Sequence, residues 1–243
     1  MPAYNEAARI GAVLTRMPDM VLGQRVQVIV VDDGSTDGTA GVAARHGARV
    51  VRLPRNSGKG AAMKVGLVVA SDTLPSAVVF MDTDGQHDPA DLQGVVEPVV
   101  AGRADMVVGS RYLVDGSRCN TPMNRFAVRC IVRGMLRRVL QIPITDPFSG
   151  YRCLSPEAAT TLELAGDRYQ TELEMAFEAA RLGLRVVEVP IERVYGEGMS
   201  KMGARFGPAL GRVSVMSQYA SAVTRGTARL VTHRNRQALD RAA

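Results

Sequence analysis

Short apolar runs in this chain end, three times over, on a polar motif. Val26 to Val31 runs into Asp32-Asp33, Val78-Val79-Phe80-Met81 into Asp82-Thr83-Asp84, and Met106-Val107-Val108 into Gly109-Ser110-Arg111. Apolar runs of strand length closed by turn chemistry read as buried strands. Arg49 to Leu53 and Val186 to Val189 read the same way. Helical stretches stand between them: Gly58 to Ala70, one that Asp88-Pro89 can start, and one toward His46 capped by Ser35 or Thr36. Strands alternating with helices predict an α/β fold, a mainly parallel sheet with helices on both faces. Ligands of such sheets gather at the carboxyl ends of the strands, so the three polar motifs are expected on one rim.

The N-terminus departs from this plan. Pro2-Ala3-Tyr4-Asn5-Glu6 reads as a loop entering a helix from Glu6 to Met17, with no strand before it. A doubly wound sheet would have its first strand there, so that strand is expected upstream of the given start. No basic segment followed by an apolar one marks a secretory signal at this start, and no apolar run approaches the roughly 20 residues of a membrane helix. Cys119, Cys130 and Cys153 lack paired zinc spacing and read as free thiols in a reducing compartment.

The net charge of +6 is unevenly placed. From Lys201 onward Arg205, Arg212, Arg225, Arg229, Arg234, Arg236 and Arg241 face Asp240 alone. Phe206, Leu210, Val213, Met216, Val223 and Leu230 fall there at roughly helical spacing. Such a basic amphipathic stretch suits an anionic partner, lipid surface or nucleic acid, or packs on the domain's own surface.

The segment Phe80 to Pro89 carries three aspartates and a histidine, and fits a metal clamp, an acid/base pair or a polar turn. Alternate residues of an extended segment point one way, so Asp82 and Asp84 can face one ligand and Gln86 continues the pattern. Oxygen-only donors suit a hard cation, Mg²⁺ or Mn²⁺, that also takes substrate phosphates. A carboxylate pair for glycoside hydrolysis needs its members across a scissile bond, not adjacent. His87 is expected as an exposed turn residue. Asp33 can accept from a ring N–H of a nucleobase and Tyr4 offers a face for stacking. Asn56-Ser57-Gly58-Lys59-Gly60 matches neither phosphate-loop nor dinucleotide pattern; it reads as a glycine-assisted helix start whose Lys59 faces the site or solvent.

Six motifs in order carry a resemblance: Pro-Ala-Tyr-Asn-Glu (2–6), Val-Asp-Asp-Gly-Ser-Thr-Asp-Gly-Thr (31–39), Asn-Ser-Gly-Lys-Gly (56–60), Asp-Thr-Asp-Gly-Gln-His-Asp-Pro (82–89), Gly-Ser-Arg (109–111) and Asp-Pro-Phe-Ser-Gly-Tyr-Arg (146–152). From Pro2 to about Lys201 the chain resembles the family-2 glycosyltransferases, nearest the dolichyl- or polyprenyl-phosphate sugar synthases. The resemblance implies a type-A glycosyltransferase fold over 1–204, with 205–243 as a basic amphipathic helix and tail. It implies a nucleotide-sugar donor, GDP-mannose or UDP-glucose, a divalent cation, and inversion at the anomeric carbon. Its nucleotide-sugar contacts fall on Pro2, Ala3, Tyr4, Glu6, Val31, Asp33, Lys59, Asp82, Thr83, Asp84, Arg111, Arg193 and Lys201. Asp84 and Gln86 fall where the family holds the metal, and Asp82, Asp84 and Arg111 where it does its chemistry. Arg125 matches an arginine for acceptor phosphate, and Arg129 stands where those synthases carry a serine.

The acceptor decides whether a base is needed. A lipid phosphate is already ionised and can attack unaided, whereas a sugar hydroxyl needs a nearby carboxylate, for which Asp146, Glu172 and Glu174 are candidates. The arginine series Arg111, Arg118, Arg125, Arg129, Arg133, Arg137 and Arg138 suits a phosphate acceptor or is in part a solvated helix face. The expected protein is a peripheral enzyme on the cytoplasmic face of a membrane, with no nucleic-acid partner. Transfer to a sugar hydroxyl, and an inactive nucleotide-sugar-binding regulator, are the alternatives.

Overall fold

A computed structural model of the chain describes residues 1–113, 123–142, 144–168, 170–192 and 217–233, and side chains within these except those of 123–128 and 139. Strand β1 (Pro2–Ala3) leads to helix α1 (Ala7–Thr15), and a hairpin of β2 (Met20–Val21) and β3 (Gln24–Arg25) follows. Leu22 and Gly23 close that hairpin with φ of 50° and 76°, the left-handed pair a two-residue turn requires. Then come β4 (Ile29–Asp32), α2 (Thr39–Arg45), β5 (Arg49–Arg52), α3 (Lys59–Ser71) and β6 (Val78–Phe80). A 3₁₀ turn, Pro89–Asp91, opens α4 (Leu92–Val100), with the Asp88 side chain accepting from Ala90 N–H as its cap. β7 (Met106–Ser110), α5 (Met123–Met135) and a π-helical turn (Leu136–Leu140) precede β8 (Arg152–Leu154), α6 (Pro156–Thr161), α7 (Thr171–Leu182) and β9 (Val186–Pro190). A last helix, α8, spans 217–233.

β1, β4 and β5 pair in parallel in that order. The four-stranded sheet runs β6-β8-β7-β9, parallel between β7 and β9 and antiparallel on both sides of β8. Thr83, just past β6, donates its hydroxyl to Pro2 O at 3.1 Å and so ties the two sheets together. Helices cover both faces, as the alternation along β7 and β8 shows. Met106, Val108 and Leu154 enter one core with Leu136, Met175, Phe177, Tyr219 and Leu230, while Val107 and Cys153 enter another with Leu92 and Val95.

Two expectations are corrected. Pro2-Ala3 is not loop: it pairs with Val31 and Asp32 as a parallel strand, a position proline tolerates at a strand's first residue. Nor do Ser35 and Thr36 cap α2, which starts after Gly38 with no side-chain cap. Both residues are drawn away to the loop before α1. Asn5 N–H donates to Ser35 Oγ, Thr36 N–H to Asn5 Oδ1, Glu6 N–H to Thr39 Oγ1 and Ala7 N–H to Asp37. The free N–H groups at the head of α1 are thus satisfied from the segment after β4. Strand β8 and the first hairpin have no counterpart in the sequence reading. Cys130 and Cys153 are free thiols.

Candidate active site

The segments that follow β4, β6 and β7 meet, as the alternation predicted. After β4, the Asp33 carboxylate accepts from Ser57 N–H at 2.7 Å and Gly58 N–H at 2.8 Å, clamping the head of α3. Burial pushes this carboxyl up against the pull of those amides. Gly58 has φ of +108°, and a Cβ there would lie 2.2 Å from Asp167 O, so the expected glycine-assisted helix start is a steric requirement. Tyr4 beside it is 43 % exposed, its ring open to a ligand. Glu6 and Val31 are buried behind that loop and strand, Glu6 paired with Arg9 at 2.8 Å.

Lys59, the first residue of α3, faces the site. Its Nζ lies 2.7 Å from Asp82 Oδ1 and 2.7 Å from Glu172 Oε1 at the head of α7. Burial opposes the charged lysine, but the two carboxylates outweigh it and hold the proton on. Burial likewise opposes the Asp82 anion, and Lys59 and its neighbours bring the carboxyl down to about 2. Gly150 leaves room for this pair. A Cβ on it would sit 2.8 Å from both Asp82 Oδ2 and Lys59 Nζ.

Asp84, two residues on, has the opposite environment. It accepts from Gln86 N–H at 3.0 Å across a bend in which Gly85 has φ of 83°. No ion pair forms to it among the described residues. Burial and then the Asp82 charge raise its carboxyl to about 6. Asp82 is therefore neutralised from within the protein, and Asp84 is a carboxylate whose charge an added cation would stabilise.

His87 overturns its expected exposed role. It is buried and stacked on Tyr151 at 5.1 Å between ring centroids, and its Nδ1 accepts the Asp82 N–H at 3.1 Å. Burial lowers the imidazole to about 4, so it is neutral and free to accept. It fixes the entry to the Asp82-Thr83-Asp84 turn.

After β7, Arg111 clasps Asp146 in a fork, Nε to Oδ2 at 2.7 Å and Nη2 to Oδ1 at 3.0 Å. Its charge also lowers Asp82, which puts the two ion pairs in one field. Glu188 on β9 accepts from Thr145 N–H at 2.7 Å and Asp146 N–H at 2.9 Å. Arg152, wholly buried, donates to Ser149 O at 3.0 Å and Pro147 O at 2.9 Å, holding the loop that carries Asp146 and Gly150. Arg129 on α5 is buried too, its guanidinium 3.9 Å from the Tyr112 ring centre and 3.1 Å from Thr145 O.

The three candidate bases are all bound up in this framework. Burial opposes the Asp146 anion but Arg111 outweighs it and keeps the carboxyl below its ordinary range. That is the wrong direction for a base. Glu172 is paired with Lys59, and Glu174 accepts from Gly166 N–H at 2.7 Å and pairs with Arg225 of α8 at 2.8 Å. Arg193, Lys201 and Arg118 lie outside the described residues, as does the side chain of Arg125. The sequence reading missed Gly150, Glu188 and Arg152 as supports; only the motif at 146–152 hinted at two of them.

The family model for glycosyl transferase family 2 matches residues 1–157. An undecaprenyl-phosphate mannosyltransferase of Micrococcus luteus is 34 % identical over 211 residues, 83 % of this chain and 85 % of its own length. A polyprenol monophosphomannose synthase of Mycolicibacterium smegmatis is 32 % identical over 212 residues, 83 % of this chain and 79 % of its own. Among solved structures, glucosyl-3-phosphoglycerate synthase of Mycobacterium tuberculosis, in complex with Mn²⁺, uridine diphosphate and glucosyl-3-phosphoglycerate, aligns with a TM-score of 0.72 at 26 % identity. It covers 93 % of this chain and 77 % of that one.

Proposed function

The chain belongs to glycosyl transferase family 2, a sugar-transferring enzyme with the α/β fold of that family, and we propose that it moves a hexose from GDP-mannose or UDP-glucose to polyprenyl phosphate. One observation carries the choice of acceptor. Asp146, Glu172 and Glu174 are each tied to a cation, so the site offers no idle carboxylate, among those proposed, to take a proton from a sugar hydroxyl. A lipid phosphate asks for none, being an anion at neutral pH.

In the reaction a phosphate oxygen of the lipid bonds to C1 of the hexose from the face opposite the donor. The bond from C1 to the diphosphate breaks with its electron pair on the departing nucleoside diphosphate, and the anomeric configuration inverts. Tyr4 and Asp33 flank the base, with Pro2, Ala3, Glu6 and Val31 shaping that end of the site. Lys59 and His87 keep Asp82 in place, and Thr83 anchors the turn to Pro2. Arg111, held flat by Asp146, faces the diphosphate, a task shared with Arg193 and Lys201. Arg125 and Arg129 on α5 serve the acceptor phosphate.

The oxygen donors of Asp84 and Gln86 fit a divalent cation, Mg²⁺ or Mn²⁺, because Asp84 is a partly buried carboxylate with no ion pair among the described residues. Such a cation supplies neutralising charge to the leaving diphosphate. Among the described residues no three His, Cys, Asp or Glu side chains group to hold a metal ion. Mn²⁺ in the related synthase supports the assignment.

No helix among the described residues is long and apolar enough to cross a membrane. Peripheral association with the cytoplasmic face of a membrane fits a lipid acceptor. Incubation with radiolabelled donor sugar, Mn²⁺ and polyprenyl phosphate should yield chloroform-soluble label, and its absence with both donors would overturn the lipid acceptor. Asp84→Ala should lower turnover on the order of 100- to 1,000-fold, the cost of losing a main electrostatic contact to the leaving group. Full turnover in that variant would remove the metal role.

A further inference from the structure

The sequence left the basic tail to an anionic partner or to the domain's own surface, and the described part of it, α8, takes the second course. In α8, Arg225 pairs with Glu174 at 2.8 Å, and Arg229 lies 3.5 Å from Glu178 and 3.6 Å from Glu163. One face of the helix is sunk in the core through Tyr219, Ala222 and Leu230. This helix has its anionic partners already.

Helix α5 and its π-helical turn are different. Residues 123–140 hold Arg125, Arg129, Arg133, Arg137 and Arg138 and not one aspartate or glutamate. Val132, Leu136 and Leu140 pack inward. On the other side Cys130, Arg133, Gly134, Arg137 and Arg138 line an open groove of about 590 Å³. Ile131 stands beside it 73 % exposed. Arg133, Arg137 and Arg138 form no ion pair among the described residues, while Arg16, Arg181 and Arg185 elsewhere in the chain each have a carboxylate. Like charges crowded on one face repel, and an external anion relieves the repulsion.

Resting on the lipid-phosphate acceptor above, we propose that this outer face of α5 and its π-helical turn docks on the anionic headgroups of a phospholipid bilayer. Three arginines meet lipid phosphates, and Ile131 enters the boundary between headgroups and acyl chains, the division of labour of an interfacial helix. The placement suits the reaction. Arg129 lies one turn before Arg133, turned inward to Tyr112 and Thr145, next to the Asp146–Arg111 pair. A bilayer on this face would bring its lipid phosphates to the edge of the rim. A bare apolar side chain among the arginines favours lipid over nucleic acid.

Cosedimentation with vesicles tests this. The protein should bind vesicles of phosphatidylcholine with phosphatidylglycerol, ignore phosphatidylcholine alone, and be released by salt as screening sets in. Arg133→Gln/Arg137→Gln/Arg138→Gln should lower the partition coefficient on the order of 100-fold, at roughly fivefold per cation near an anionic surface. Ile131→Ser should weaken binding as a single change, and Arg225→Gln/Arg229→Gln should leave it unaltered. Wild-type protein that stays off the anionic vesicles, a triple variant that binds as well as wild type, or equal binding to duplex DNA would each overturn the proposal. Transfer to a short-chain, water-soluble polyprenyl phosphate, assayed alongside without vesicles, should survive in the triple variant. Transfer without vesicle binding overturns the docking face and leaves the acceptor standing; vesicle binding without transfer to any polyprenyl phosphate keeps the face and removes the acceptor.

Discussion

The rim around Asp82 and the outer face of α5 hold charge in opposite states. At the rim Lys59 is buried against Asp82 and Glu172, and Arg111 against Asp146. On α5, Arg133, Arg137 and Arg138 are exposed and unpaired among the described residues. Helix α8 lies between these extremes, with half-exposed arginines that are nonetheless paired. The difference separates framework from function. A buried pair holds the backbone in place and is costly to break from one side, whereas an exposed cation contributes little to folding and remains available to a ligand.

Substitutions should grade along that series. Asp146→Asn, which leaves the Arg111 charge buried without its counter-ion, should cost about 3–5 kcal/mol at neutral pH. That corresponds to a fall in Tm of roughly 10 °C or more for a chain of this size. The sign with pH follows from the depressed carboxyl of Asp146. Its contribution is whole above about pH 4 and fades as pH falls through the folded-state value. The deficit of the variant should therefore shrink in acid, and a deficit that grows below pH 4 would contradict the pairing.

Next in size comes the seat of α8. A Cβ on Gly226 would lie 2.3 Å from the buried Phe177 ring, so Gly226→Val should cost about 1–3 kcal/mol in urea unfolding, by overpacking. No loss would mean that α8 does not pack as described. Smaller again is Arg225→Gln, expected to cost at most about 1 kcal/mol because the arginine is 43 % exposed, with Glu174 keeping its Gly166 N–H. Arg137→Gln should leave Tm unchanged, and a clear drop there would show a hidden partner and break the contrast between the two helices.

Much of the site was legible because its signals are local. An apolar run followed by Asp82-Thr83-Asp84 says strand, then turn, without reference to any distant residue, and Asp88 does cap the next helix as Asp88-Pro89 implied. The readings that failed concerned environment. His87 looked like a turn residue because its neighbours in sequence are polar, yet Tyr151, just before β8 and 64 positions away, covers it. Ser35 and Thr36 carry good capping chemistry, and the loop before α1 claimed it first. Pro2-Ala3 is too short to show strand periodicity, and only its partner β4 makes it a strand.

By itself the sequence determined the alternation of the longer apolar strands with helices, the oxygen chemistry of the Asp82-to-Gln86 turn and the family to which the chain belongs. Those properties sit in residue type and short spacing. Only the tertiary structure decided which charges are paired. Lys59 finds Glu172 across 113 residues of chain, and α8 finds its glutamates on α7. A charge is framework or ligand site according to what is packed against it and how much water remains. Two carboxylates in one short motif are thus parted: burial and the Asp82 charge raise Asp84 to about 6, while Lys59, in contact with Asp82 alone of the two, leads the charges that overcome its burial and bring it to about 2.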